Sequence, residues 1–271
     1  MTDHDHAETA AHTHRPLQSR LAWLSLILAL LLPVWFAIAA LGTKFGLWSF
    51  RTGLGTMTRE IGTWMLIIVS ALAIIAFLWA LVKKPRGRWI VPLLALAIPV
   101  GIFAMLASVS RTAEGNPIHD VATNPADPPQ FSDRLLRLRG PEANEVADYG
   151  VAQDELDGQT LARVNGQLYP EMSPIVTTVS PSEALPLVQA VMLEEGFDNV
   201  VSDPAAGRVE GTAETFWYGF KDDVVARVRA VQGGGSVIDL RSVSRVGQSD
   251  LGKNAERVRE LKMAIETKLD Q

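Results

Sequence analysis

The side chains able to do chemistry crowd into one stretch. Between Gly211 and Arg257 stand Asp222, Asp223, Arg227, Arg229, Asp239, Arg241, Arg245, Asp250 and Asn254. A guanidinium fork matches a carboxylate or phosphate with two parallel hydrogen bonds, so Arg227, Arg241 and Arg245 are candidates for holding an anion. Asp222 and Asp223 are adjacent, and His119 precedes Asp120 earlier in the chain. Those four are the groups a metal-assisted hydrolase would need. No serine elbow, zinc-binding histidine pair, phosphate loop or dinucleotide fingerprint occurs, which disfavours the familiar hydrolase, kinase and dehydrogenase classes. With no cysteine in the chain, disulfides, thiolate catalysis and thiolate metal sites are excluded.

These residues need elements to position them. Val224–Val231 and Ser236–Val246 read as a hairpin around Gly233-Gly234-Gly235. Val224, Ala226, Val228 and Ala230 must share a face with Ile238 and Leu240 for a core to close, which fixes the parity of the pairing. The expected register sets Arg229 opposite Asp239, Arg227 opposite Arg241 and Asp223 opposite Arg245 on an outward face. Two arginines directly opposed repel. Either a carboxylate from Asp250, Glu210 or Glu214 or a bound anion, such as a phosphorylated head group, must offset that repulsion. Neighbours on a strand face opposite sides, so Asp222 and Asp223 diverge and read as a turn and strand start. By the same reasoning His119-Asp120 reads as a turn or docking motif.

Around the hairpin, Ile175–Val179 reads as a strand and Ser180-Pro181-Ser182-Glu183 as a helix start, with serine as cap, proline first and glutamate three residues beyond the cap. Phe197–Ser202 and Arg208–Trp217 read as further strands. A last helix, capped by Ser249 or Asp250, carries Leu251, Ala255, Val258, Leu261, Ile265 and Leu269 every three or four residues. The order β-α-β-β-β-β-α predicts an α+β domain, an antiparallel sheet with helices on one face. Residues 131–174 are polar and irregular, with short helices expected near Arg134–Arg139 and Pro141–Asp148.

Upstream the chain changes character. Leu21–Leu41, Ile61–Val82 and Trp89–Val109 contain no charged residue, and at about 1.5 Å rise per residue each spans the roughly 30 Å hydrocarbon core of a bilayer. Three transmembrane helices are expected, with six of the seven tryptophans in or beside them and several near the ends, as interfacial anchors should be. Lys83, Lys84, Arg86 and Arg88 place the second link in the cytoplasm. The amino terminus is then cytoplasmic and everything beyond Val109 lies outside. Ala37-Ile38-Ala39 resembles a signal-peptide cleavage site, but the apolar run is long for that purpose. Gly42–Glu60, rich in glycine and aromatics, is expected to be an interfacial loop.

The expected division is a solvated cytoplasmic tail at 1–20, transmembrane helices within 21–110, a proline-rich strap at 111–135 and a soluble domain at 136–271. The tail holds two His-x-His pairs (His4, His6, His12, His14), which simple polarity explains without a metal. Residues 1–111 carry ten Lys/Arg against four Asp/Glu, and the remainder fifteen against twenty-six. An acidic outer domain repels phosphate backbones, so nucleic acid is not an expected partner.

Asn116-Pro117-Ile118-His119-Asp120, Asp127-Pro128-Pro129, Tyr169-Pro170, Gly219-Phe220-Lys221-Asp222-Asp223-Val224 and Asp239-Leu240-Arg241-Ser242-Val243-Ser244-Arg245-Val246-Gly247, continuing to Asp250, Gly252 and Asn254, form a pattern over about 116–261. In these motifs the chain resembles a family of bacterial and plastid proteins whose shared region is domain of unknown function 1499. Asn124 stands where that family often has aspartate, which weakens a metal site in the strap. The resemblance implies a membrane-anchored layout of the family's bacterial branch and no particular activity. The expectation is a cell-envelope module without cofactor, whose outer domain binds a partner or an anionic, lipid-like ligand. The alternative is a metal-assisted hydrolase using His119, Asp120, Asp222 and Asp223.

Overall fold

A computed structural model describes residues 17–83 and 89–270. The His-x-His pairs, Arg15 and the link residues Lys84, Arg86 and Arg88 lie outside the described residues. The described chain forms two compact units: one takes in residues up to Ala40 and Trp48–Met105, the other Leu41–Leu47 and the chain from Leu106 onward.

The first unit is helical. α1 (Leu17–Lys44) and α3 (Ile90–Gly115) follow their apolar runs and extend past them, α2 (Gly62–Val82) stays within its run, and α2 is continuous with a π-helical stretch, Arg51–Ile61. Leu17–Lys44, Arg51–Val82 and Ile90–Gly115 are each long and apolar enough to cross a membrane. The interfacial loop expected at 42–60 is therefore helical from Arg51. The wider helix is closed locally: the Thr58 hydroxyl donates to the Gly53 carbonyl at 2.8 Å, and the Trp35 indole donates to Met57 O at 2.9 Å. Backbone groups near hydrocarbon must be satisfied within the protein, which favours this coil over an open loop. At Gly62 a Cβ would stand 2.6 Å from Phe36 Cε1, so a glycine there lets α1 approach closely, a common device between membrane helices.

The second unit is built on an antiparallel sheet of order β1-β8-β7-β6-β5, from β1 (Asp120–Ala122), β5 (Asp198–Asp203), β6 (Arg208–Glu214), β7 (Lys221–Ala230) and β8 (Ser236–Ser244). β4 (Ile175–Thr177) also pairs with β8, nearer its start. Val209, Val224, Ala226, Val228, Ile238 and Leu240 point to one face. There they pack on Val188, Val191 and Met192 of α6 (Pro181–Glu194) and on Val258, Leu261 and Ile265 of α7 (Lys253–Leu269). The two long helices thus share a face, as the apolar parity requires. α6 begins as its sequence prescribes: the Glu183 carboxylate accepts from the Ser180 hydroxyl at 2.7 Å and from its backbone N–H at 3.4 Å.

The opposite face is not open to water. α4 (Asp133–Arg139) lays Leu135, with Phe131, on Val225 and Val243. A second apolar cluster gathers Ile118, Val121, Tyr149, Leu156 and two residues of α5 (Leu161–Leu168), Leu161 and Val164. A short pair, β2 (Ala152–Gln153) with β3 (Gln159–Thr160), precedes α5. The second helix expected at 141–148 is irregular, whereas α5, which the polarity of 131–174 concealed, is helical, with the Thr160 hydroxyl accepting from Arg163 N–H as its cap. Residues 127–149 therefore act as a cover, and the charged row of the hairpin lies beneath it.

Candidate functional site

The hairpin closes in a register two residues away from the expected one. Arg227 faces Asp239, Arg241 faces Val225, and Asp223 faces Val243. The loop still has five residues, Val231 to Gly235, but it is centred on Gly233. Parity is retained, so the core face is right and every cross-strand charge pairing is changed. The Arg227/Arg241 juxtaposition does not exist. Gly235 explains the choice: its φ of +88° is left-handed, and the position its Cβ would take is 2.2 Å from Thr177 O. Only glycine fits where β4 crosses close beneath the turn.

Each candidate arginine is engaged within the chain. Arg241 and Asp120 form a bidentate pair, Nε to Oδ1 at 3.0 Å and Nη2 to Oδ2 at 2.7 Å, with side chains 0% and 1% exposed. Arg241 also donates to the carbonyls of Pro129 and Ala147, and its guanidinium lies 4.8 Å from the Tyr149 ring centre and 5.8 Å from that of Phe131. Burial alone would weaken the hold of Arg241 on its proton, yet the charge and hydrogen bonds of Asp120 outweigh it and raise the pKa. The Tyr149 hydroxyl donates to Asp120 Oδ1 at 2.9 Å, and its own pKa is driven well up, by burial first and then by the charge of Asp120.

Arg245 grips Asp223 through Nε (2.9 Å) and Nη2 (2.7 Å), while Arg139 of α4 reaches the same carboxylate at 2.7 Å from the covering side. The Thr212 hydroxyl completes the set at 2.8 Å. Asp222 points the other way, to Arg257 of α7 at 2.8 Å, as strand alternation requires. Arg227 and Arg229 converge on buried Asp239 at 2.9 and 2.8 Å, and both also reach Asp127 of the strap at 3.0 and 3.1 Å. Hydrogen bonding to Arg227 is the main reason the Asp127 carboxyl sits below its ordinary pKa.

One pair of opposed arginines does exist, between different strands: Arg208 of β6 lies opposite Arg227 of β7. Carboxylates answer it. Arg208 bonds Asp203 at 3.0 Å, and Arg227 bonds Asp239 and Asp127. Of the three carboxylates expected to offset such a repulsion, Glu210 lies 3.8 Å from Arg208 and 3.2 Å from Arg134. Ser132, Arg134, Asp203, Arg208 and Glu210 line an open cavity of about 350 Å³. There the Arg134 side chain is 38% exposed, and its buried Nε has no partner among the described residues.

Asp250 and Asn254 do structural work at the start of α7. Asp250 accepts from the backbone N–H of Gly252 (2.8 Å) and Asn254 (2.7 Å) and from Asn116 Nδ2 (2.6 Å). Burial raises the Asp250 pKa despite these bonds, and the charge of Asp222 adds to the rise. Asn254 Nδ2 donates to the carbonyl of His119 and to Ser244 Oγ, and Tyr169, its pKa pushed to about 12 chiefly by burial, donates to Asn116. The His119 ring pairs through Nδ1 with the Gln248 carbonyl, at 3.2 Å. The four residues a hydrolase would need are therefore dispersed: Asp120 and Asp223 lie on the covered face with separate arginines, Asp222 on the α7 face, and His119 at the edge. No group of three His, Asp or Glu side chains placed to hold a metal ion occurs among the described residues.

Sequence reasoning did not single out Arg134, Arg139 and Arg208. Arg134 and Arg139 come from α4, far from the hairpin in sequence, and no spacing within the hairpin could point to them. The parity of β7 does give one signal, since it sends Asp223 to the second face and a buried carboxylate there demands a cation.

Three helices long and apolar enough to cross a membrane are followed by an antiparallel α+β domain whose second face is stitched by buried Asp–Arg pairs. The chain belongs to the family described as protein of unknown function (DUF1499), which matches residues 120–265, from the first residue of β1 into α7. No match to the chain was found among the curated proteins.

Proposed function

We propose that the chain is a module of the bacterial cell envelope. Its three helices anchor it in the inner membrane with the amino terminus cytoplasmic, and its α+β domain lies on the periplasmic side, where it binds a partner or an anionic, lipid-like ligand without catalysing a reaction. The basic cluster Lys83, Lys84, Arg86 and Arg88 supports that orientation. The observation that carries the binding reading is the open cavity beside β6, where Arg134 keeps an unpartnered buried Nε and Arg208 stands next to it. Arg227, Arg241 and Arg245, which the sequence nominates for the anion, spend their donors on Asp127, Asp239, Asp120 and Asp223. In this reading Arg134 and Arg208, which line the cavity, face the ligand.

The test is mass spectrometry of molecules that copurify with the full chain extracted in native-membrane nanodiscs, compared among wild type, Arg134→Ala and Arg208→Ala. Loss of one anionic species from both folded variants supports the reading. An identical set of copurifying molecules in all three refutes it.

A further inference from the structure

The chain between β6 and β7 reads Thr215-Phe216-Trp217-Tyr218-Gly219-Phe220. A loop that only reversed the chain would need no such run of aromatics. Phe216 and Trp217 are 69% and 54% exposed, and their rings meet edge to face with centres 5.0 Å apart. The loop is well held from behind: the Thr215 hydroxyl donates to Trp217 O at 2.8 Å and accepts from the Phe220 N–H at 2.9 Å, and Thr215 N–H donates to Phe220 O at 2.8 Å. The two rings are therefore presented to solvent by a fixed turn, an arrangement that water alone disfavours.

A second observation identifies what covers them. Leu41–Leu47 belongs to the same compact unit as the sheet, and Lys44 of that segment bonds this loop. Its ammonium donates to Phe216 O at 3.2 Å, lies 5.0 Å from the centre of the Phe216 ring and is 3.8 Å from Glu214. A Cβ at Gly219, whose φ is +63°, would sit 3.1 Å from Lys44 Cα, so backbone meets backbone. Lys44 is also the last residue of α1, an apolar membrane-length helix, and the next residues include Phe45 and Leu47, both strongly exposed. The end of a membrane-crossing helix lies at the head-group layer, where lysine and aromatic rings collect because one end of each is apolar and the other wet.

We propose that the β6–β7 loop is a membrane-interface anchor, with Phe216 and Trp217 seated in the lipid head-group layer at the outer end of α1. The seventh tryptophan then joins those near the ends of the three apolar runs. The occupant is the lipid interface itself, and the charge beside the rings suits it, since Lys44 can meet lipid phosphate. This inference rests on α1 crossing the membrane and is independent of any ligand in the cavity beside β6.

The absence of cysteine makes the test clean. Single variants Phe216→Cys, Trp217→Cys, Val176→Cys and Met263→Cys of the full chain, each carrying a nitroxide and placed in phosphatidylethanolamine/phosphatidylglycerol nanodiscs, are compared for access to oxygen and to a water-soluble nickel complex. Labels at 216 and 217 should favour oxygen severalfold over labels at Val176 and Met263, which are exposed elsewhere on the domain. Equal, water-like access at all four sites overturns the proposal. Because a label replaces the ring it probes, wild-type chain is also irradiated with a head-group-proximal diazirine lipid. Adducts in the peptide containing 215–220 support the anchor, and adducts confined to the three helices overturn it.

Discussion

Removing one partner of the Arg241–Asp120 pair should destabilise the α+β domain far more than removing both. Asp120→Asn leaves a full guanidinium charge in a site with 0% exposure, met by neutral groups alone: the Asn oxygen, the carbonyls of Pro129 and Ala147 and two ring faces. Arg241→Met leaves the Asp120 carboxylate with the Tyr149 hydroxyl and orphans both carbonyls. An uncompensated buried charge costs about 3–5 kcal/mol, whereas replacing both ions with well-packed uncharged groups is often near neutral. At about tenfold per 1.4 kcal/mol, each single variant should speed exchange of the β8 amides by roughly two to three and a half orders of magnitude. The Asp120→Asn/Arg241→Met double variant should recover most of that loss. The assay is hydrogen–deuterium exchange with mass spectrometry on the full chain in nanodiscs, read at β8 peptides. A double variant as unstable as the sum of the singles, or singles costing under about 1 kcal/mol, would refute the reasoning that this pair acts as a unit.

Three further outcomes are expected. Gly235→Ala should cost at least about 2 kcal/mol, since a left-handed alanine alone costs about 1–2 and its Cβ would also strike Thr177 O; Gly234→Ala, whose Cβ meets nothing within 4 Å, should cost less, and equal thermal shifts in the two variants would contradict the close-approach account. Asp250 has a folded pKa above its ordinary 3.8, so the folded state binds its proton more tightly and stability from this group falls as pH rises through that raised value; Asp250→Asn should flatten the pH dependence of unfolding above pH 3.8, and an unchanged profile would count against it. Asp127 is shifted the opposite way, so its contribution is present above 3.8 and lost as pH falls through the lowered value; being largely exposed, it should change stability by no more than about 1 kcal/mol in Asp127→Asn at neutral pH, measured by chemical denaturation, and by less in acid.

The elements that follow from periodicity were legible. The three apolar runs became α1, α2 and α3, the capped Ser180 start became α6, and the parity of Val224, Ala226 and Val228 fixed which face of the hairpin is core. The register was not legible, because two registers with the same parity bury the same apolar residues and differ only in turn placement. The chain's decision between them lies at Gly235, whose need for φ > 0 arises from β4, a strand more than fifty residues away. The covered face was illegible for a related reason. Charged residues alternating with apolar ones read as a solvent face, and nothing local in β8 says that Arg241 will meet Asp120 across a strand pairing of distant segments. β1 itself was hidden among prolines: Asp120–Ala122 is three residues long, and its strand character comes from β8, not from its own composition.

That pairing of β1 with β8 also orders events at the ribosome. Asp120 emerges only a few residues after α3, yet its partner Val243 is synthesised more than a hundred residues later. Pairings so distant in sequence form late, after the entropy of the intervening loop has been overcome. The three apolar helices are synthesised before the sheet can close, and the first strand must wait unpaired until β8 arrives. Asp120 then meets Arg241, and the closing of one buried ion pair coincides with the joining of the domain's beginning to its end.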